Sequence, residues 1–519
     1  MPGAEIANSR REIAIAFLAL VVSLYISSHT VADPDLWGHV RFGQDILAHG
    51  SVARIDPYSY LSAGQEWVNH EWLSEVAFAA VFNGFGPQGL LALKILLLLG
   101  TLGLVYRHLR AEDAGAVATA AVILLIAMLM EVGSRTVRPQ LFTYFFFVLV
   151  LLVMHRADRG RMRSLWLLPP IFAAWANFHG GFLAGLGLLA VWSSVSIAGL
   201  CYGAIRERRP LLKPCGRIVL PAIASVLAIA LNPFGLRVLV FLRESMMMPR
   251  PNIMEWAPIH LGHSEGIVYL AMVGLSIAAI VTTPQRRSPA LMAALACTAV
   301  LPLMALRHLP LFALAAGVLA GEHIGAAWKQ WLPPGEEHGS QPGPSPLRWA
   351  MSLLPLTTAL LFCGATWHGS TRFWIDPQHG TYPVRAVQVL KASGAHGNMA
   401  VHFNWGQYAI WHLGPAIKVS YDGRFESVYN AAMRSLNADW VSGQGHWDAL
   451  LDRYPTTLAL LDKGLPAYDL MRRKAGWKLV YEDPLAALFV RSDQTALVRA
   501  IQSGPIPDVA ADGAGMSFP

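Results

Sequence analysis

Apolar runs long enough to cross a bilayer recur along this chain, and no other feature restricts its fold as tightly. A span needs about 20 mostly apolar residues, because the hydrocarbon core is about 30 Å thick and a helix rises about 1.5 Å per residue. Such runs fall near residues 12–29, 88–108, 114–131, 139–155, 165–179, 181–200, 217–232, 266–283, 290–305, 309–327 and 348–366. In lipid each backbone N–H and C=O must be satisfied inside the segment, so each run is expected to be helical. Only 14% of the 519 residues are charged and 54% are hydrophobic, against about 25% charged in soluble domains. The expected fold class is a mainly α polytopic membrane protein of about eleven transmembrane helices.

The net charge of +7 does not mark a nucleic-acid binder, because the cations cluster in short loops between apolar runs, as topology signals do. Arg107 and Arg110, the run HRADRGRMR (155–163), IRERRPLLKPCGR (205–217), PQRRS (284–288) and the stretch 329–348 all face the cytoplasm if the segment 71–85 does not span, and all face outside if it does. That segment is therefore read as an interfacial amphipathic helix. The expected topology has a cytoplasmic N-terminus, a periplasmic C-terminal domain and a multi-pass body in a bacterial inner (plasma) membrane. Arg10 and Arg11 before the run 13–26 resemble a signal peptide, and the many later spans make this a retained signal-anchor. Cys201, Cys215, Cys297 and Cys363 have neither metal-ligand spacing nor an obvious pairing.

Between the first two runs lies a polar loop of opposite character. Over residues 29–75 it holds Asp33, Asp35, Asp45, Asp56, Glu66, Glu71 and Glu75 against two fixed cations, Arg41 and Arg54. Asp33 suits a helix N-cap, Pro34 the first turn and Gly50 the stop, while Asp35 and His39, four apart, share a face. Asn69 is placed to cap a second helix with Glu71 in its first turn. The expected domains are 1–369, a transmembrane domain whose first periplasmic loop (30–86) carries two juxtamembrane helices, and 370–519, a small α/β external domain. A Pro- and Gly-rich linker, 332–347, precedes the last span. In the tail, helices are expected at 383–393, 404–412, 425–436 and 466–475, strands at 398–403, 417–423 and 457–462, and then a hairpin-like pair. Neither GxGxxG nor a P-loop occurs, so nucleotide-driven chemistry has no support.

The segments DPDLWGHVRFGQDIL (33–47), DPYSY (56–60), NHEWL (69–73), RPQLF (138–142), WANFHGGF (175–182), LNPFG (231–235), RHLPLF (307–312), NWGQY (404–408) and DGR (422–424) are spread over most of the chain. With this layout they resemble the GT-C superfamily of membrane glycosyltransferases, on the branch near bacterial aminoarabinose transferases and protein O-mannosyltransferases. The resemblance implies transfer, with inversion, of a sugar from a polyprenyl-phosphate carrier to a lipid, glycan or protein acceptor at the periplasmic face. It also implies a catalytic or acceptor-binding carboxylate just after the first span, which falls on Asp33 or Asp35 and leaves the choice between them open.

Such a transfer needs a base for the acceptor hydroxyl and positive charge for the departing lipid phosphate. Asp35 is the expected base and Asp33 its support, although an N-cap role alone also accounts for Asp33. His70, Glu71 and His39 are candidates for the acceptor or for a divalent metal such as Mg²⁺, Mn²⁺ or Zn²⁺, though an ordinary helix start accounts equally for His70 and Glu71. On the expected topology Arg135, Arg138, Arg237 and Arg307 lie at external ends of spans, where cations are disfavoured and need a reason. Arg138 and Arg307, with His308 and His179, are candidates to grip the donor phosphate; snorkelling explains such arginines otherwise, and a tight turn explains His179. Asp422-Gly423-Arg424 reads as a turn with a local ion pair. Membrane lipids and the lipid-linked sugar are the expected partners. A transporter or flippase of a lipid-linked sugar is the rival reading, opposed by the lack of evident repeats. A third is a non-catalytic envelope assembly protein working through its tail.

Overall fold

The computed structural model of this chain describes residues 2–208, 210–248, 253–331, 356–361, 363–364, 372–378, 380–509 and 518–519. The expected linker 332–347, and most of the expected span 348–366, lie outside the described residues. The chain divides into two compact units. The first comprises Met1–Thr30, Leu91–Leu236 and Met247–Trp374, and the second Val31–Leu90, Arg237–Met246 and Ile375–Pro519.

Among the described residues six helices are long and apolar enough to cross a membrane: Arg10–Ser28, Trp72–Ala111, Ala116–Ser134, Gln140–Asp158, Phe182–Glu207 and Ser264–Thr282. A pair bent by 62°, Leu306–Leu319 and Gly321–Trp331, makes a seventh if taken as one span. The runs near 165–179, 217–232 and 290–305 instead give shorter helices, Leu168–Phe178, Leu212–Ala228 and Pro289–Val300. Proline marks two of these limits: Pro169 and Pro170 lie in the first turn of one helix and Pro302 follows the third, while the second runs on past Pro221 in its interior. The 40-residue helix Trp72–Ala111 breaks at Gly86 (φ 60°, ψ −153°), before Pro87. Glycine tolerates that backbone conformation, and proline has no N–H to continue the ladder.

In the first unit the helix Ala116–Ser134 packs against Pro2–Ser28 on one side and Leu309–Leu319 on another. Every residue of Leu309–Leu319 is buried. Lipid tails are as apolar as leucine, so such helices associate through close packing and polar contacts. Glycine supplies the close approach: a Cβ at Gly317 would overlap Ile126, and one at Gly133 would overlap the Tyr144 hydroxyl. Lys94 is fully buried, and its ammonium donates to the His29 carbonyl at 2.6 Å and to Thr30 Oγ1 at 2.8 Å. Those bonds compensate a charge that burial would otherwise make costly.

The second unit is built on a five-stranded sheet. Its strands are β1 (Gly397–Val401), β2 (Ile417–Val419), β3 (Leu458–Asp462), β4 (Trp477–Glu482) and β5 (Ala486–Arg491). Their order is β2-β1-β3-β5-β4, with β1 parallel to β2 and β3, and β5 antiparallel to β3 and β4. The β1–β2 crossover is the helix Phe403–Leu413, which packs against the first-loop helix Pro34–His49. The approach is tight, since a Cβ at Gly38 would overlap the Gln407 side chain. The first loop also extends the sheet. Tyr60 N donates to the Val419 carbonyl at 3.1 Å and Val419 N to the Tyr58 carbonyl at 3.2 Å, so residues 58–60 pair with the free side of β2.

Candidate functional site

The acidic start of the first loop is ordered by helix-end chemistry. Asp33 has extended backbone (φ −78°, ψ 148°) and its carboxylate accepts from Asp35 N at 2.8 Å, satisfying one orphan N–H of the helix Pro34–His49. Pro34 occupies the first turn without losing a bond, and Asp35 sits where the helix dipole favours negative charge. At the other end Gly50 takes the left-handed conformation (φ 66°) and donates to the Ile46 carbonyl.

One turn beyond Asp35, buried His39 lies with Nδ1 3.5 Å from the Glu75 carboxylate. The other Glu75 oxygen accepts from Asn69 Nδ2 at 2.6 Å, and Asn69 Oδ1 accepts from Glu71 N at 3.3 Å. Burial alone would lower the His39 pKa, but the hydrogen bond to Glu75 and the charges of Glu71, Glu75 and Asp35 outweigh it and raise it. His70 and Glu71 face each other at 3.7 Å, just before the helix that starts at Trp72. The candidates Asp33, Asp35, His39, His70 and Glu71 therefore share the second unit.

The turn after β2 completes this region. Gly423 lies so close to Asp35 that a Cβ there would overlap the carboxylate. Beside it Arg424 is a buried hub. Its guanidinium donates to Asp56 (Nη1 2.5 Å, Nη2 3.1 Å) and to Asp422 (Nε 2.9 Å, Nη2 2.7 Å). Tyr429 donates to Asp422 at 2.6 Å, and Ser62 donates to Asp56. The rings of Phe42, Tyr58 and Trp67 surround the guanidinium, with centroids 4.9–5.2 Å away. Burial would raise the Asp422 pKa, but the charge and hydrogen bonds of Arg424, helped by Tyr429, hold it below the usual carboxylate range. The local Asp422–Arg424 pair was legible as a turn; the partner Asp56, 368 residues away from Arg424, was not.

The cationic candidates lie in the first unit. Arg138 and Arg307 converge on one carboxylate, each with a guanidinium nitrogen 3.5 Å from Glu255. Arg307 also stacks over Trp256 at 4.4 Å. Their side chains are 23% and 28% exposed and Glu255 is 31% exposed, so the trio is accessible to a ligand. His308 follows Arg307 and precedes the helix Leu309–Leu319. His179 is engaged locally: Nδ1 lies 2.8 Å from Thr143 Oγ1 and accepts from Gly181 N at 2.9 Å. Sequence reasoning missed Glu255, and also Glu75 as the carboxylate that meets His39.

Solved structures similar to this chain cover most of its length. ArnT from Cupriavidus metallidurans in the apo state superposes with TM-score 0.52 at 15% identity, covering 94% of this chain and 98% of ArnT. The chain has the GT-C fold. Arabinofuranosyltransferase AftD from Mycobacteria matches at TM-score 0.56 and 13% identity, over 93% of this chain and 41% of AftD. ArnT bound to undecaprenyl phosphate matches at TM-score 0.49 and 14% identity, over 92% and 97% of the two chains. By sequence, no family model and no curated protein matches.

Proposed function

We propose that this protein is a membrane glycosyltransferase that moves a sugar from a polyprenyl-phosphate carrier to a lipid, glycan or protein acceptor. The observation that carries the proposal is the GT-C fold, shared with two proteins described as, or bound up with, glycosyl transfer, together with an Asp-Pro-Asp helix start directly after the first span. The polyprenyl-phosphate donor rests on the sequence resemblance and on the paired arginines, whose forked donors suit a phosphate.

In this reading Asp35 is the base. Asp33 has a carboxylate oxygen engaged in capping, which suits it to hold the helix start rather than to exchange a proton. Asp35 takes the proton from the acceptor hydroxyl as that oxygen attacks the anomeric carbon, and the carrier phosphate leaves from the opposite face with inversion. Arg138 and Arg307 stabilise the departing phosphate, exchanging Glu255 for it, and His308 and His179 are further candidates to bind it. His70, Glu71 and His39 hold the acceptor or a divalent ion. The proposed topology has about eleven spans, a cytoplasmic N-terminus, a periplasmic first loop and a periplasmic C-terminal domain in the bacterial inner membrane.

The test is sugar turnover by purified Asp35→Asn and Asp33→Asn variants at matched expression and folding. Asp35→Asn should lower turnover about 10²- to 10⁴-fold, the usual contribution of a positioned base, with donor binding retained. Asp33→Asn should keep most of the turnover, since Asn is also a good cap. Equal turnover by Asp35→Asn and wild type would remove Asp35 from the mechanism.

A further inference from the structure

We propose that His108, Glu112 and His155 form a binding site for a divalent transition-metal ion, best matched by Zn²⁺, in the first unit. His108 lies in the last turn of the helix Trp72–Ala111, and Glu112 follows it by four residues, just past the helix end. His155 lies in the last turn of the helix Gln140–Asp158. One ligand atom from each residue lies within 4.8 Å of the other two. A tetrahedral ion bound at about 2.0–2.2 Å holds its ligand atoms about 3.3 Å apart. His155 Nε2 and Glu112 Oε1 already stand 3.2 Å apart, so only His108 has to close in.

The surroundings are those of a ligand set. His108 Nε2 lies 2.9 Å from the Val318 carbonyl and so carries the proton, leaving Nδ1 with its lone pair. A backbone carbonyl on the far ring nitrogen is the usual outer partner of a metal-bound histidine. The His155 side chain is 5% exposed, and its Nδ1 is buried with no hydrogen-bond partner among the described residues. The two rings meet edge to face, with centroids 4.7 Å apart and an interplanar angle of 82°.

A plain ion-pair network explains Glu112 and Arg159, which meet at 3.1 Å, but not the convergence of two imidazoles on that carboxylate. Arg159 does not block an ion, because it also pairs with Glu322 and keeps that partner when Glu112 turns to the metal. Two imidazoles and one carboxylate suit Zn²⁺ and disfavour Mg²⁺ or Ca²⁺, which take oxygen ligands. Three protein ligands leave a fourth position for water. The ion would join the helices Trp72–Ala111 and Gln140–Asp158, with His108 tying both to Leu309–Leu319 through Val318. None of these residues has a part in the proposed transfer, so the site stands or falls apart from that reading.

The test uses the full-length protein in detergent, stripped with a chelator and titrated with Co²⁺ and then Zn²⁺. One equivalent of Co²⁺ should bind with a visible absorption band of a low-coordinate site, and one equivalent of Zn²⁺ should displace it. His155→Ala and the shape-preserving Glu112→Gln should each weaken binding at least about tenfold, whereas His446→Ala, a control in the second unit, should leave it unchanged. Size-exclusion profiles matching wild type establish that the variants are folded. Less than one equivalent bound by wild type, or unchanged affinity in folded Glu112→Gln, would overturn the site.

Discussion

Replacing Arg424 by alanine tests how the first loop and the sheet of the second unit are held as one body. Arg424 is 9% exposed, and Asp56 and Asp422 are 4% and 0% exposed. The substitution leaves two carboxylates buried without the cation that now donates four hydrogen bonds to them. Removing one partner of a buried ion pair costs about 3–5 kcal/mol, because the remaining charge is neither solvated nor paired. That corresponds to roughly two to four orders of magnitude in the opening equilibrium of this region. Hydrogen exchange read at the amides of Tyr60 and Val419, which pair the loop with β2, should therefore speed up by about that factor. The triple variant Asp56→Asn, Asp422→Asn, Arg424→Met removes the stranded charges and should recover much of the protection. A change below about 1 kcal/mol, the scale of an exposed ion pair, would refute the reasoning.

Arg138→Ala and Arg307→Ala should each raise the KM for the lipid-linked donor about tenfold or more, and Glu255→Gln should lower it by releasing both guanidinium groups; donor titration checks both signs. Gly423→Ala should depress turnover without unfolding the second unit, since its methyl would press on the Asp35 carboxylate, and activity normalised to folded protein reads this. The raised His39 pKa gives a signed pH dependence: its contribution to stability is complete below about pH 6.5, its unfolded value, and is lost as pH rises through its folded value. Melting curves between about pH 5 and pH 9 should show that loss in wild type and not in His39→Gln. Asp422 acts in the opposite sense, stabilising above the ordinary carboxylate range and failing as acid protonates it.

Local rules were legible and long-range pairings were not. Asp33 as cap, Pro34 in the first turn and Gly50 as stop each follow from one residue's own preference, and the helix Pro34–His49 has those ends. In the tail the strand expected at 398–403 is Gly397–Val401, and the helix expected at 383–393 is Val384–Ala392. The helix expected at 425–436 starts later, at Ala431, because Asn430 caps it by accepting from Met433 N. Span counting was less secure, because an apolar run records burial in lipid while a proline within it sets where the helix begins, as Pro169 and Pro170 do in Leu168–Phe178. At the candidate site the sequence offered acids and bases without partners. His39 with Glu75, Arg138 and Arg307 with Glu255, and Arg424 with Asp56 are separated by 36, 117, 52 and 368 positions in that order. No local pattern relates residues so far apart.

The central claim is glycosyl transfer, and the most direct measurement follows one labelled sugar on its carrier. The purified protein in nanodiscs, and in sealed vesicles, would be given a polyprenyl-phosphate sugar labelled in the sugar, with an envelope lipid extract as the acceptor source. Label should leave the carrier, free polyprenyl phosphate should accumulate, and Asp35→Asn should stop both. Label that stays on its carrier yet crosses the vesicle bilayer would contradict the account and establish a transporter in its place.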